Sequence, residues 1–252
     1  MPKLSGTLDP SQGPLNVLIK KELIDRLSTR VYAPGQKLPA EKELAKEFGV
    51  SISTVRQAVS ALVSERLLVR IQGSGTYVSQ YHMTRRRAAF LRIYDKDGRR
   101  LNPLRTLKTI EIGEATNQEV ALLAMTPGVV NKVLRMVFYA QFSPSDKKTF
   151  STLEMVVPYE PFKKLNNKKH FQNQDFNNYA LYSDICGIQV VNLEENVHAI
   201  AAPGDVAKIL GVKPGSPLLY IERVSYTYNK IPVEVRRRYM HPDYHYRNYD
   251  QG

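Results

Sequence analysis

The chain has 252 residues, with one cysteine, no tryptophan, and 36 Lys/Arg against 24 Asp/Glu for a formal charge of +12. That length accommodates two domains, and the positive excess suits a polyanionic partner. A lone Cys186 excludes an intrachain disulfide and the companion thiolates of a typical zinc site, and no run approaches the ~18 to 20 apolar residues of a membrane helix.

Residues 1–13 have no apolar core of signal-peptide length and read as a disordered N-terminus. A reducing cytoplasm fits. Leu15, Leu18, Ile19, Leu23 and Leu27 then recur at helical spacing, the stripe of an amphipathic helix. Pro34-Gly35 suits the middle of a type II turn, where the first helix is taken to end. A second helix over Glu41 to Phe48 turns Leu44, Ala45 and Phe48 inward and stops at Gly49. A third, about Ser53 to Glu65, buries Val55, Ala58, Val59 and Leu62. Its other face carries Ser53, Thr54, Arg56, Gln57 and Ser60, either an ordinary solvated surface or a set of groups for phosphates and base edges. Strand-like runs Leu67 to Ile71 and Thr76 to Val78 flank Gly73-Ser74-Gly75, a hairpin tip. Three helices followed by a hairpin make a winged helix, whose wing brings Gln72 and the Gly73 backbone to a minor groove.

Residues 14–80 resemble the DNA-binding domain of the GntR family of bacterial transcription regulators. The likeness rests on the proline-glycine turn, Leu38-Pro39-Ala40-Glu41-Lys42-Glu43-Leu44-Ala45, Gly49-Val50-Ser51-Ile52-Ser53-Thr54-Val55-Arg56 and the glycine-rich wing. The resemblance implies duplex contacts from Lys42, Ser51, Ser53, Thr54, Arg56, Gln72 and Gly73, with Gln57 on the same helix face. Lys42 and Ile52 depart from the family pattern, so no consensus operator is transferred. Only +4 of the charge lies in residues 1–80. Residues 81–95 read as a linker, part of a hinge over 79–95, with Arg85, Arg86 and Arg87 close enough to the wing to touch phosphates.

The remainder, residues 96–252, contains an internal repeat. Glu119-Val120-Ala121 to Pro127-Gly128 and Asp205-Val206-Ala207 to Pro214-Gly215 each give an acid-led helix and a Pro-Gly turn. Each is followed by a strand reaching an arginine, Arg135 or Arg223, and then a strand with a glutamate, Glu154 or Glu234. Two such units form one antiparallel sheet with packed helices, an α+β domain. A pseudo-twofold relation would make Arg135 equivalent to Arg223 and Glu154 to Glu234. These charged groups then line a cavity, pair with one another, or face water; Arg223 reads as the structural partner of an acid.

This half resembles the UTRA effector-binding domain of the HutC subfamily of GntR regulators, similar in fold to chorismate lyase. The resemblance implies an effector pocket lined by Leu91, Arg92, Ile93, Arg135, Glu154, Tyr182, Glu234 and Tyr239, with Arg135 on an anionic group. Val137 stands where many sugar-phosphate binders carry a second arginine. The leading expectation is a homodimeric repressor released from a palindromic double-stranded operator by a small metabolite such as a sugar phosphate. Two alternatives remain: an enzyme on a lyase-like fold, or a DNA-binding module whose second domain only dimerises. No catalytic set or nucleotide loop is visible, His198, His241 and His245 are too scattered for a metal, and neither cofactor nor membrane partner is expected.

Overall fold

The computed structural model describes residues 10–79, 93–101, 103–142, 148–173 and 176–246. The chain divides into two compact units, Met1–Tyr81 and His82–Gly252.

In the first unit, α1 (Leu15–Ser28), α2 (Glu41–Phe48) and α3 (Ile52–Ser64) are followed by the hairpin β1 (Leu68–Ile71) and β2 (Gly75–Val78). Ile19, Leu23, Leu27, Leu44, Phe48, Val55, Val59 and Leu62 close one core. The stripes at three- and four-residue spacing bring them together. The first helix stops earlier than the Pro-Gly turn suggests: Ser28 is its last residue, and Arg30 takes a left-handed φ of 60°. Buried Arg26 causes the local fold-back. It donates to Glu22 at 2.8 Å and to the Tyr32 hydroxyl at 3.1 Å, pairs with Glu47 at 2.8 Å, and lies over the Phe48 ring. Pro34-Gly35 does form the turn, with Gly35 at φ 78° and Gln36 N–H donating to Ala33. The segment after it joins the wing, since Leu38 N–H donates to Thr76 and Val78 N–H to Gln36.

In the second unit a short pair, β3 (Ile93–Tyr94) with β10 (His245–Tyr246), stands apart from a six-stranded antiparallel sheet. The sheet contains β4 (Leu104–Glu114), β5 (Lys132–Gln141), β6 (Ser151–Pro158), β7 (Asn192–Ala201), β8 (Pro217–Tyr226) and β9 (Pro232–Met240). Their order is β4-β5-β6-β9-β8-β7, symmetrical about the β6–β9 ladder. The helices are α4 (Asn117–Leu122), α5 (Tyr159–Phe162), α6 (Asn178–Leu181) and α7 (Gly204–Leu210).

The two sheet faces are covered differently. Residues 159–173 and 176–187, with α5 and α6, lie over the first face: Phe171 and Phe176 pack on Phe138, and Asn178 Nδ2 donates to Met155 Sδ at 2.8 Å. On the second face, Leu123 just past α4 packs with Val133, Val156, Val224 and Val235. There α7 places Val206, Ala207 and Leu210 on Leu218.

Register corrects the repeat expectation. Glu154 lies opposite Arg237, whereas Glu234 lies opposite Ser225. Directly opposed residues share a face and successive ones alternate, so Glu154 points to the second face and Glu234 to the first. Arg135 likewise stands in the row Val156–Val235–Val224 on the second face, while Arg223 opposes Arg236 on the first. The halves are related as strands and helices, yet neither charged pair is equivalent. A shift of one residue between repeats suffices to reverse the face.

Candidate functional site

In the first unit the polar groups of α3 and the wing lie at the surface. Ser51 caps α3, its Oγ accepting from Thr54 N–H at 3.2 Å and lying 2.7 Å from the hydroxyls of Ser53 and Thr54. The cap satisfies one of the orphan donors of the helix start, and the other N–H groups there favour an anion. Lys42, Ser53, Arg56, Gln57, Gln72 and Gly73 are exposed, and Thr54 is half-buried. Gly73 holds φ 73° at the hairpin tip, and a Cβ there would meet nothing within 4 Å; the left-handed backbone, rather than space, requires glycine.

Glu41 and Arg70 were not singled out in the sequence, and both join this surface. Arg56 Nε donates to Glu41 Oε2 at 2.8 Å, and Arg70 Nη2 donates to Glu41 Oε1 at 3.0 Å and to Ser60 Oγ at 3.0 Å. One carboxylate on α2 thus holds an α3 arginine and a wing arginine. Arg85, Arg86 and Arg87 lie outside the described residues.

The six described effector candidates do not converge. Leu91 and Arg92 lie outside the described residues, and Ile93 is buried with Ala140, Phe150 and Met240. The rest divide between the two faces. On the second, Arg135 donates to Glu119 from Nη1 and Nη2 at 2.8 and 2.9 Å and to Glu154 at 2.8 Å. Arg237 closes the set with bonds to Glu119, Glu154 and Glu222. Tyr239 lies nearby on this face, its ring 5.0 Å from Tyr220. Glu119 is also the N3 residue of a capping box: its N–H donates to Thr116 Oγ1 and its Oε2 accepts from Thr116 N–H. The pattern Thr-x-x-Glu was legible in the sequence; the role of Glu119 in bracing helix to sheet was not.

On the first face, under residues 159–173 and 176–187, lies a second network. Fully buried Glu234 accepts from the Tyr182 hydroxyl, from Ser225 Oγ at 3.0 Å and from Arg236 Nη2 at 2.8 Å. Tyr179 OH contacts Ser225 Oγ at 3.1 Å and accepts from Arg223, which also donates to Glu195 at 2.7 Å. Arg223 is therefore the ion-pair partner expected from the sequence. Burial drives the Glu234 carboxyl upward, and the Arg236 charge and hydrogen bond more than offset it, leaving a net lowering. Burial first and the Glu234 charge second push Tyr182 well above its ordinary value, so it stays a donor. Arg236 Nε is buried with no hydrogen-bond partner among the described residues. Cys186 is half-buried.

With both surfaces placed, the comparisons with known proteins are decisive. Residues 16–78 match the family model for bacterial regulatory proteins of the gntR family, and residues 146–246 match the UTRA domain. The chain belongs to the GntR family. Two relatives align along most of this GntR chain. It is 28% identical over 223 residues, 88% of each protein, to the HTH-type transcriptional repressor NagR of Bacillus subtilis (strain 168). To the histidine utilization repressor of Pseudomonas aeruginosa it is 26% identical over 244 residues, covering 95% of this chain and 91% of the relative. A crystal structure of the ligand-binding domain of a GntR-family regulator from Bordetella bronchiseptica superposes with TM-score 0.56 at 27% identity, covering 64% of this chain and 96% of that one.

This GntR protein is a DNA-binding transcriptional regulator and not an enzyme, with a winged-helix reading head and an α+β UTRA domain. Among the described residues no helix is long and apolar enough to cross a membrane. Its second-face brace has a pH consequence. Burial raises the Glu119 carboxyl, but hydrogen bonds from Arg135, Arg237 and the Thr116 backbone outweigh that and bring it to about 2. A carboxylate depressed on folding adds stability above its unfolded value of 4.5, and that stability is lost as pH falls towards 2, because the unfolded chain then binds more protons. Thermal unfolding followed from pH 5 to pH 2 should show the UTRA unit weakening across this window, and Glu119→Gln should flatten the slope. An identical slope in that variant would remove Glu119 from the brace.

Proposed function

We propose that this protein is a ligand-responsive repressor: a homodimer whose winged helices hold the half-sites of a palindromic operator until a small anionic metabolite binds the UTRA unit. Twofold symmetry in the protein calls for twofold symmetry in the DNA. The names of NagR and of the histidine utilization repressor support repression as the direction of control. The protein works in the cytoplasm beside its operator, without a cofactor.

Duplex contacts come from Lys42, Ser51, Ser53, Thr54, Arg56, Gln57, Gln72 and Gly73. Short hydroxyls and N–H groups at the start of α3 take phosphates, Arg56 and Gln57 reach base edges, and the wing tip enters the minor groove. Glu41 tunes this surface by neutralising Arg56 and Arg70 in the absence of DNA. Glu41→Gln should therefore tighten binding to duplexes of any sequence, about tenfold at low salt, and steepen the salt dependence. Fluorescence anisotropy with operator and scrambled DNA measures both, and unchanged scrambled-duplex affinity would dismiss the clamp.

One observation carries the effector reading: the buried Nε of Arg236, which has no hydrogen-bond partner among the described residues. Arg223 and Arg236 share the first face with Glu195 and Glu234. A phosphate or carboxylate placed there would meet that guanidinium donor. Tyr182 and Glu234 of the sequence-derived set belong to this site, whereas Arg135, Glu154 and Tyr239 brace the opposite face. The metabolite acts only by binding one arrangement of the two reading heads better than the other. Isothermal titration with phosphorylated sugars, amino acids and related acids identifies it, and the same compound must lower operator affinity in a gel shift. Arg236→Lys should weaken its binding by about 1.5–3 kcal/mol, through the lost Nε hydrogen bond to a charged group, while Glu154→Ala leaves it unchanged. The reverse pattern would move the site to the second face.

A further inference from the structure

The outer strand β4 can pair with itself, and we propose that it joins two copies of this chain into one continuous twelve-stranded sheet. This rests on the proposed homodimer and names the surface that makes it.

The six-stranded sheet ends at β4, and the middle of that strand, Lys108, Thr109, Glu111 and Ile112, is exposed. A long exposed edge is a template for another strand. What selects a second copy as the occupant is the order of residues along it. The β4–β5 register skips between Leu107 and Thr109, so Lys108 is the extra residue of a bulge. Lys108 Nζ sits 5.0 Å from the Tyr139 ring centre, and Thr109 and Glu111 oppose Val137 and Arg135 on the second face. Lys108, Thr109 and Glu111 therefore share that face. Arg105, Leu107, Ile110, Ile112 and Glu114 share the other.

Counting Lys108-Thr109 as one position, an antiparallel self-pairing about Ile110 sets Lys108-Thr109 against Glu111, Leu107 against Ile112, Thr106 against Gly113 and Arg105 against Glu114. Every opposed pair lies on the same face, as a twofold axis normal to the sheet requires. Lys108 meets Glu111, apolar residues meet, and the only self-opposed residue is an isoleucine; Arg105 stays with Asn178 and Phe176 of its own chain. Like charges face each other nowhere. The other outer strand, β7, lacks this property, for Asn192–Ala201 contains Glu194 and Glu195 and no lysine or arginine. A third observation concerns the exposed apolar residues. Ile112, Val129 and Val130 are 46%, 58% and 68% exposed. The last two sit beside the end of β4, because Ala115 N–H donates to Asn131 O. Pairing in this register covers Ile112 with Leu107 of the second copy.

The test uses the full chain with Cys186→Ser as background. Ile110→Cys places two thiols opposite each other across the axis, within the 4.4–6.8 Å Cα separation of a disulfide, and mild oxidation should convert it to a covalent dimer on a non-reducing gel. Ala199→Cys on β7 should stay monomeric on the same gel. Glu111→Lys should raise the dimer dissociation constant at least tenfold by light scattering, Lys108→Glu should do the same, and the double variant should recover most of the loss. Recovery in the double variant separates pairing from misfolding. A dimer that fails to cross-link through position 110, or a double variant no better than either single one, overturns the β4 junction and leaves the dimer standing. A monomeric parent at micromolar concentration overturns both.

Discussion

Glu234→Ala should destabilise the C-terminal unit by about 3–5 kcal/mol, the usual result of removing one partner from a buried ion pair. For a unit of this size that lowers the thermal midpoint by roughly 6–20 °C. The reason lies in what remains: Arg236 loses the carboxylate it pairs with, and the hydroxyls of Tyr182 and Ser225 lose their shared acceptor. A buried guanidinium without an anion cannot shed its proton as a carboxylate takes one up, so the cost stays in the folded state. Differential scanning calorimetry of the isolated transition would measure it. A midpoint within a degree or two of the parent would mean that water already reaches Arg236, and the first-face network would lose its claim to be a dry site. An anionic effector should stabilise this variant at least as much as the parent, because it restores an anion beside Arg236, which ties the folding measurement to ligand binding by mass action.

Arg56→Ala should weaken operator binding by about 1–3 kcal/mol, roughly 5- to 150-fold, without altering effector affinity. Arg56 is 64% exposed even while paired with Glu41, so its release from that partner costs little, as surface ion pairs generally contribute less than ~1 kcal/mol. The outcome also distinguishes two kinds of contact. Loss confined to the operator assigns Arg56 to a base edge, whereas equal loss on scrambled duplex with a salt slope reduced by about one assigns it to a phosphate. Unchanged affinity for both would leave the reading of α3 without its main residue. Thermal unfolding should be unaffected, because α3 is held by Val55, Ala58, Val59 and Leu62 on its other side.

Legibility differed between the two units for physical reasons. The reading head is made of local signals: helical stripes, a Pro-Gly turn, a left-handed glycine after α2 and a glycine-tipped hairpin. Each is fixed by neighbours in sequence, so Gly49, Gly35 and Gly73 stand where they were expected. The miss there, the end of α1 at Ser28, arose because Arg26 folds back on Tyr32 and Glu47, contacts that spacing alone does not reveal. In the UTRA unit the same reading found the duplicated helix, turn and strands but took Arg135 as equivalent to Arg223 and Glu154 to Glu234. Arg135 and Glu154 found Glu119 and Arg237, from a capping residue and a distant strand, while Glu234 found Tyr182, Ser225 and Arg236 beneath a different layer.

By itself the sequence determined the modules: a winged helix ahead of a duplicated α+β sheet, with a polar helix face that suits a duplex. Those properties come from periodicity and turn chemistry, which act over a few residues. Only the tertiary structure decided which charged groups share a space, since the face of a strand residue depends on ladder register, and one residue of shift reverses it. The same ladder set the bulge at Lys108 and with it the matched order of charges along the outer strand, which no count along the chain alone would have aligned.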